Sequence, residues 1–287
     1  MFAITGATGH LGSQTIAALQ KRFPADRIVA LARDPSRAVD LASLGVEVRH
    51  FDYDGPADLQ QSLVGVERLL LISSDDVGRR VDQHRAVIGA AIAAEVGFIA
   101  YTSVLHADTN SLSVAPSHLT TEAMLRDSGL PHAVLRNGWY IENYLIGAQA
   151  AIAHGVLLGS TGEGRISGAT RADYATAAAA VLAAGPKAAG IYELAGDEAF
   201  TLSDVAIALA DASGRPVVYR DLPEAEYALA LQEDGVPASF AAMLAGLSAG
   251  AASSILADGS QTLSRLIGRP TAELNEVVRA AIGKGLA

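Results

Sequence analysis

Residues 2–12 read FAITGATGHLG, a short apolar run that breaks into glycines and then into an amphipathic stretch from His10 to Arg22. FAIT has the apolar, β-branched character of a buried strand, and the stretch after it has the apolar spacing of a helix. Gly6, Ala7, Thr8, Gly9, His10, Leu11 and Gly12 thus read as a strand-to-helix loop. Gly6 permits a tight turn, Gly9 lets the backbone approach a pyrophosphate, and Gly12 lets the helix pack closely on the strand. The helix N-terminus adds unpaired N–H groups and the positive end of its dipole. The spacing is GxxGxxG rather than the simplest GxGxxG. The strand–loop–helix setting, more than the glycines alone, marks a dinucleotide-binding loop.

The next strand, RIVALAR (27–33), ends where such loops are usually answered by a carboxylate that accepts hydrogen bonds from the adenosine ribose. Arg33 stands there instead. A carboxylate repels a 2′-phosphate, whereas an arginine offers it a planar, always-charged fork. The expected cofactor is therefore NADPH rather than NADH. The other reading of Arg33 is a solvated surface cation beside Asp34. Asp52, which closes the third strand in HFDYD, suits either an adenine contact or a loop cap.

Further along, apolar runs and helical patterns keep alternating. VEVRHFD (46–52), LLLISS (69–74), FIAYTS (98–103) and HAVLRNG (132–138) read as strands, with helices expected near 35–45, 56–63, 79–95 and 116–128. This alternation specifies a parallel sheet covered by helices on both faces. The fold class is α/β, a Rossmann-like doubly wound parallel sheet with a smaller C-terminal α/β lobe. The expected division is an NADPH-binding domain over 1–138 and a substrate-binding lobe over 139–287, with segments interleaved. In the second part a helix is expected from Tyr140 to His154, and GSTGEG (159–164) reads as a hairpin turn. IYELAG (191–196) and PVVYRDL (216–222) read as strands, and TLSD (201–204) has the form of a helix-capping box.

Bulk properties narrow the function classes. Of 287 residues, 50% are hydrophobic and 18% charged, which is enough apolar material for a sizeable core. The net charge of −10, with no run of five basic residues, argues against a nucleic-acid or anionic-membrane surface. There is no cysteine, so thiolate chemistry and disulfides are excluded. No basic segment with a long apolar core opens the chain, and no apolar run reaches the ~18 residues of a membrane span. A cytoplasmic protein is expected. No H-E-x-x-H spacing points to a metal, and no G-x-S-x-G elbow points to a hydrolase.

Short-chain reductases manage the substrate proton with a Tyr-x-x-x-Lys pair. No tyrosine here is followed four residues later by lysine; the matching helix begins SHLTTEAML, placing His118 and Glu122 in those positions. GATGHLG, LARDP, LLLISS, FIAYTSVLHAD, HLTTEAML, LRNGWYIENY and TRADYA together resemble the NmrA-like, atypical short-chain reductases. LAGD (194–197) and LSRLIGRPT (263–271) extend the resemblance over nearly the whole chain. It implies NADPH lying over the C-terminal ends of the strands and a quinone in the cleft between the lobes. Hydride transfer from NADPH to a quinone is thus the implied activity. A quinone accepts hydride readily and its reduced oxygens take protons from water, so a dedicated tyrosine is less necessary than for a simple ketone. Two other readings stay open: an NADPH-dependent reductase of triphenylmethane or azo dyes, and a redox sensor that binds NADP(H) without turnover. The oligomeric state stays open as well.

Position assigns the remaining site residues. Ser73 and Ser74 end the fourth strand, and Tyr101, Thr102 and Ser103 end the fifth; all are expected along the cofactor path. Asn137, Gly138, Trp139 and Tyr140 follow the sixth strand, where they frame the nicotinamide. Tyr140 and Asn143, one helical turn apart, are the substrate-orienting candidates, with Asn143 either holding a quinone carbonyl or serving as a surface amide. His118 is either a proton donor or a helix-start partner of Glu122. Arg171 and Asp173 read as a lobe-anchoring pair or a helix cap, while His84 and Arg85 sit in a helix with no evident partners.

Overall fold

A computed structural model of the chain describes residues 1–283, apart from the side chains of Pro56 and Ala57. Nine strands follow in order: β1 (Phe2–Ile4), β2 (Ile28–Ala32), β3 (Glu47–His50), β4 (Arg68–Leu71), β5 (Phe98–Val104), β6 (His132–Asn137), β7 (Val156–Gly159), β8 (Gly190–Leu194) and β9 (Val218–Asp221). Seven form one sheet in the order β3-β2-β1-β4-β5-β6-β8, and every pairing in it is parallel. β7 and β9 make a separate parallel pair.

Parallel strands need crossovers, and the crossover helices cover both faces. That is why IVALA of β2 and FIAYTSV of β5 are buried residue for residue. On one face the helices His10–Gln20 and Arg171–Ala184 pack over Phe2, Ile4, Ile28, Leu70 and Leu135. On the other, the helices Arg80–Ala93 and Ala115–Asp127 cover Leu31, Leu69, Leu71, Ile99 and Tyr101. Burying one such Leu or Ile side chain contributes about 1.5–3 kcal/mol before conformational entropy is subtracted. A third cluster, including Ile141, Leu145, Phe200, Leu209 and Leu256, binds the C-terminal elements together.

Strand order reverses between β1 and β4, and a parallel sheet opens a crevice at the carboxyl ends of such strands. The register brings those ends level: Ile4 pairs with Ala30 and Leu70, Leu71 with Tyr101, and Val104 with Asn137. The glycine loop, Arg33, Ser73 and the segment after Asn137 all leave from this one edge.

Beyond residue 138 the chain leaves the sheet and then returns to it. The helix Arg171–Ala184 lies against the first helix, and β8 adds a seventh strand beside β6. The Thr201–Asp204 capping box forms in full, opening the helix Leu202–Ser213. Two local expectations do not hold. The helix expected from Tyr140 to His154 is broken into a 3-10 turn, Ile141–Leu145, and a helix, Ala148–His154. Tyr140 is extended, the Ile141 N–H goes to Ala169 O (3.1 Å), and Gly147, a weak helix former, sits at the break. GSTGEG turns through a Gly164 N–H to Thr161 O bond (2.9 Å), but its flanks do not pair with each other. β7 is claimed by β9, and Ile166 bridges to Phe200 and Leu256.

Candidate active site

The glycine loop is held by its own backbone. Gly6 adopts φ +57°, Gly9 N–H closes on Gly6 O (2.9 Å), and Ala7 N–H ties the loop to Leu31 O at the end of β2 (3.3 Å). A Cβ on Gly12 would stand 2.4 Å from Gly6 O and 2.9 Å from Ala7 Cα, so only glycine lets the helix approach this closely. Gly9 is the N-cap of the helix His10–Gln20; no side chain caps that end and its first turn holds no acid. The helix end therefore presents its N–H groups and dipole uncompensated, a cradle for an anion. Gly6, Gly9 and His10 are exposed and Thr8 half-buried, while Ala7, Leu11 and Gly12 are buried beneath them and shape the backbone. Thr5, just below, is a brace: its Oγ1 accepts from Ile72 N–H (2.9 Å), and the Tyr53 hydroxyl donates between Thr5 Oγ1 (2.6 Å) and Ile72 O (2.9 Å).

Arg33 stands exposed just past β2 and makes no side-chain hydrogen bond or ion pair among the described residues. Its neighbour Asp34 is occupied as a cap, accepting from Ser36 N–H (3.0 Å) and Ser36 Oγ (2.6 Å). Those bonds hold the Asp34 carboxyl below the usual carboxylate range. Asp52 Oδ1 accepts from Asp54 N–H (3.1 Å), the loop-capping arrangement of its two readings.

At the ends of β4 and β5 the backbone is fastened from inside. Ser73 N–H donates to Thr102 Oγ1 (2.9 Å), and Ser74 N–H donates to His84 Nε2 (3.0 Å). Because a backbone N–H only donates, His84 carries its proton on Nδ1, which faces Thr121 Oγ1 at 2.9 Å. His84 thus has a set of partners that its sequence context did not reveal. Arg80, itself buried, donates to Ser74 O (2.8 Å) and to Ser117 Oγ (2.9 Å).

Tyr101 and His118 fall elsewhere than expected. Tyr101 is 0% exposed and His118 6%, with the Tyr101 hydroxyl 2.7 Å from His118 Nδ1. Alternation along β5 sends Tyr101 into the core under the helices Arg80–Ala93 and Ala115–Asp127, so its side chain does not line the cofactor path. Burial, and then the neighbouring Arg80 cation, lower the His118 pKa to about 3. This burial favours a packing role for His118 over that of a proton donor. Glu122 does not serve it either. Its carboxylate accepts from Ser103 Oγ (2.6 Å) and takes both Nε (3.1 Å) and Nη2 (2.8 Å) of Arg136. Arg136 Nη1 continues to Glu193 (2.8 Å) and Asp108 (3.1 Å). One sign of this clamp is visible in HAVLRN, since a lone arginine in a buried strand requires carboxylate partners.

After β6 the geometry is made by side chains. Asn137 is buried and its Oδ1 has no hydrogen-bond partner among the described residues, while Gly138 N–H donates to Leu194 O (2.7 Å). Trp139 is half-buried against the C-terminal cluster. The Tyr140 ring stacks edge-on with Tyr174 (5.4 Å) and lies under the Arg171 guanidinium (4.7 Å). Burial raises the Tyr140 phenol above its ordinary pKa. Asn143 N–H donates to Tyr140 O (3.1 Å), and Asn143 Oδ1 accepts from Arg171 Nη2 (2.6 Å). Arg171 and Asp173 do not pair with each other. Asp173 belongs to the Thr170 cap and meets Arg269 (2.6 Å), whereas Arg171 turns toward Tyr140, Glu142 and Asn143.

The chain's likeness to known proteins is extensive. The sequence model of the NmrA-like family matches residues 1–251. Quinone oxidoreductase 2 of Escherichia coli is 53% identical over 97% of this chain and 97% of its own length. The crystal structure of the E. coli NADPH-dependent quinone oxidoreductase complexed with NADPH superimposes with a TM-score of 0.93 at 52% identity, covering 98% of this chain and all of that one. The triphenylmethane reductase of a Citrobacter species, complexed with NADP(H), reaches the same TM-score at 35% identity, with 98% of this chain and 100% of that chain covered.

Proposed function

The chain belongs to the NmrA-like family, and we propose that it is an NADPH-dependent quinone oxidoreductase acting in the cytoplasm. The observation that carries this reading is the uncapped, acid-free helix end at His10 with the unpaired Arg33 beside it. It sits on a chain 53% identical to an E. coli quinone oxidoreductase. The glycine cradle fits a pyrophosphate, since the helix end at His10 has neither a capping side chain nor an acid in its first turn, and Arg33 fits a 2′-phosphate. NADPH, when bound, supplies the hydride. Gly6, Thr8, Gly9 and His10 would hold its diphosphate. Ser73, Thr102 and Asn137 stand where the strand ends would frame its nicotinamide half.

The chain's own contribution is placement and charge. Asn143, its carbonyl engaged by Arg171, keeps its Nδ2 hydrogens for a quinone oxygen, where negative charge gathers as the acceptor is reduced. Tyr140 and Trp139 supply an aromatic wall, and the elements gathered in the C-terminal cluster, β7, β9 and the helix Leu202–Ser213 among them, form the substrate lobe. No tyrosine–lysine relay is present and His118 is buried, so the reduced oxygens take their protons from water. A second reading keeps the cofactor and changes the acceptor to a triphenylmethane dye, favoured by the Citrobacter neighbour.

The test is NADPH oxidation followed by absorbance with a simple benzoquinone, with NADH and a triphenylmethane dye in parallel. Turnover with NADPH and benzoquinone is the expected result. Preference for the dye moves the assignment to the second reading. Tight NADPH binding without any turnover overturns both in favour of a sensor.

A further inference from the structure

We propose that Arg171 is the positioning residue for the quinone-binding amide: it fixes which end of Asn143 faces the substrate. This rests on the quinone-reductase reading and on Asn143 as the substrate contact. The two residues come from motifs separated by 28 positions, joined by backbone bonds from Ile141 N–H to Ala169 O and from Ala169 N–H to Trp139 O, each 3.1 Å. Once that bridge forms, Arg171 touches three neighbours in turn. Its backbone N–H donates to Glu142 Oε1 (2.9 Å), its guanidinium lies over Tyr140, and Nη2 donates to Asn143 Oδ1 (2.6 Å).

A carboxamide has two chemically opposite ends, and only its NH2 end stabilises negative charge on an acceptor oxygen. Asn143 lies on a five-residue 3-10 turn and is half-buried, so its backbone alone leaves the amide free to turn over. A guanidinium has donors and no acceptor, so it can bind only the Oδ1 end. That leaves the NH2 end for the substrate. Anchoring of the lobe does not account for the guanidinium: its nearest approach to the Glu142 carboxylate is 3.8 Å, far looser than the bond to Asn143.

The experiment is a double-mutant cycle on benzoquinone reduction, using Asn143→Ala, Arg171→Met and the pair, with the KM for NADPH and the melting temperature of each variant measured alongside. Asn143→Ala is expected to lower kcat/KM for the quinone about a hundredfold, and Arg171→Met about tenfold or more. The double variant should be no worse than Asn143→Ala, and the KM for NADPH should stay within about twofold throughout. Arg171→Lys, which keeps one charged donor, should recover part of the loss; if the Met variant does not fold, the Lys variant carries the cycle. Losses that multiply in the double variant overturn the proposal, as does an NADPH KM that rises in step with the lost turnover. A wild-type protein that reduces no quinone instead overturns the functional reading. Intact turnover in Asn143→Ala overturns Asn143 as the substrate contact, and Arg171's role with it.

Discussion

The glycine loop and the Tyr140–Asn143 turn both leave the same edge of the sheet, yet they are built in opposite ways. The loop is backbone throughout: a positive φ at Gly6, two main-chain bonds and a missing Cβ at Gly12. The turn adds side chains from afar to its main-chain bonds with Ala169, with Arg171 on Tyr140 and Asn143, and Arg136 gripping Glu122, Glu193 and Asp108 just upstream. In the proposed function a cofactor common to many enzymes would meet the part made of backbone, and the acceptor would meet the part made of replaceable side chains.

That contrast breaks most sharply at Arg136. Arg136→Met leaves Glu122 and Glu193 partly buried without their cation, and should destabilise the protein by about 3–5 kcal/mol in urea unfolding. A loss below about 1 kcal/mol would mean that the clamp is replaceable too. Gly12→Ala comes next: the added methyl meets Gly6 O and should cost about 3 kcal/mol by the same measurement, with NADPH binding lost in a fluorescence titration. Arg33→Ala leaves the fold alone and should raise the KM for NADPH about tenfold to a hundredfold, while that for NADH moves less than about twofold. Equal changes for both cofactors would make Arg33 a surface cation only.

The smallest expected effect concerns the core behind the cofactor edge. His84 and His118 are held neutral in the folded protein, their pKa values lowered from 6.5 to about 3 by burial and then by Arg80. The unfolded chain takes up these protons as pH falls below about 6.5 and the folded protein does not, so stability is full above that pH and declines toward pH 3. Urea unfolding at about pH 7.5 and about pH 5.5 should differ by about 1.4 kcal/mol per histidine. His118→Gln should remove one histidine's share and change quinone turnover less than about twofold. A larger loss of turnover would restore His118 as a proton donor.

Most of the sheet was legible because local pattern and tertiary need coincide. IVALA and FIAYTSV are apolar enough to be buried on both faces, and only strands of a covered parallel sheet require that. The loop was legible where one residue type answers one geometric demand, as at Gly6 and Gly12. The site was illegible at Tyr101 and His118, because neither the alternation of a strand nor the period of a helix says which face is the cleft. Between Tyr140 and His154 the pattern is helical, but Tyr140 is extended and Gly147 separates a 3-10 turn from the helix Ala148–His154.

The sequence by itself determined the α/β alternation, the glycine-rich strand-to-helix loop and the cation after β2, because each follows from contacts within about one strand–loop–helix unit. Only the tertiary structure decided that His118 lies in the core, that Glu122 serves Arg136, and that Arg171 reaches Asn143. Those are pairings between side chains distant in the chain, and no periodicity records them. They exist only once the sheet register brings β6, β8 and the helix Arg171–Ala184 side by side.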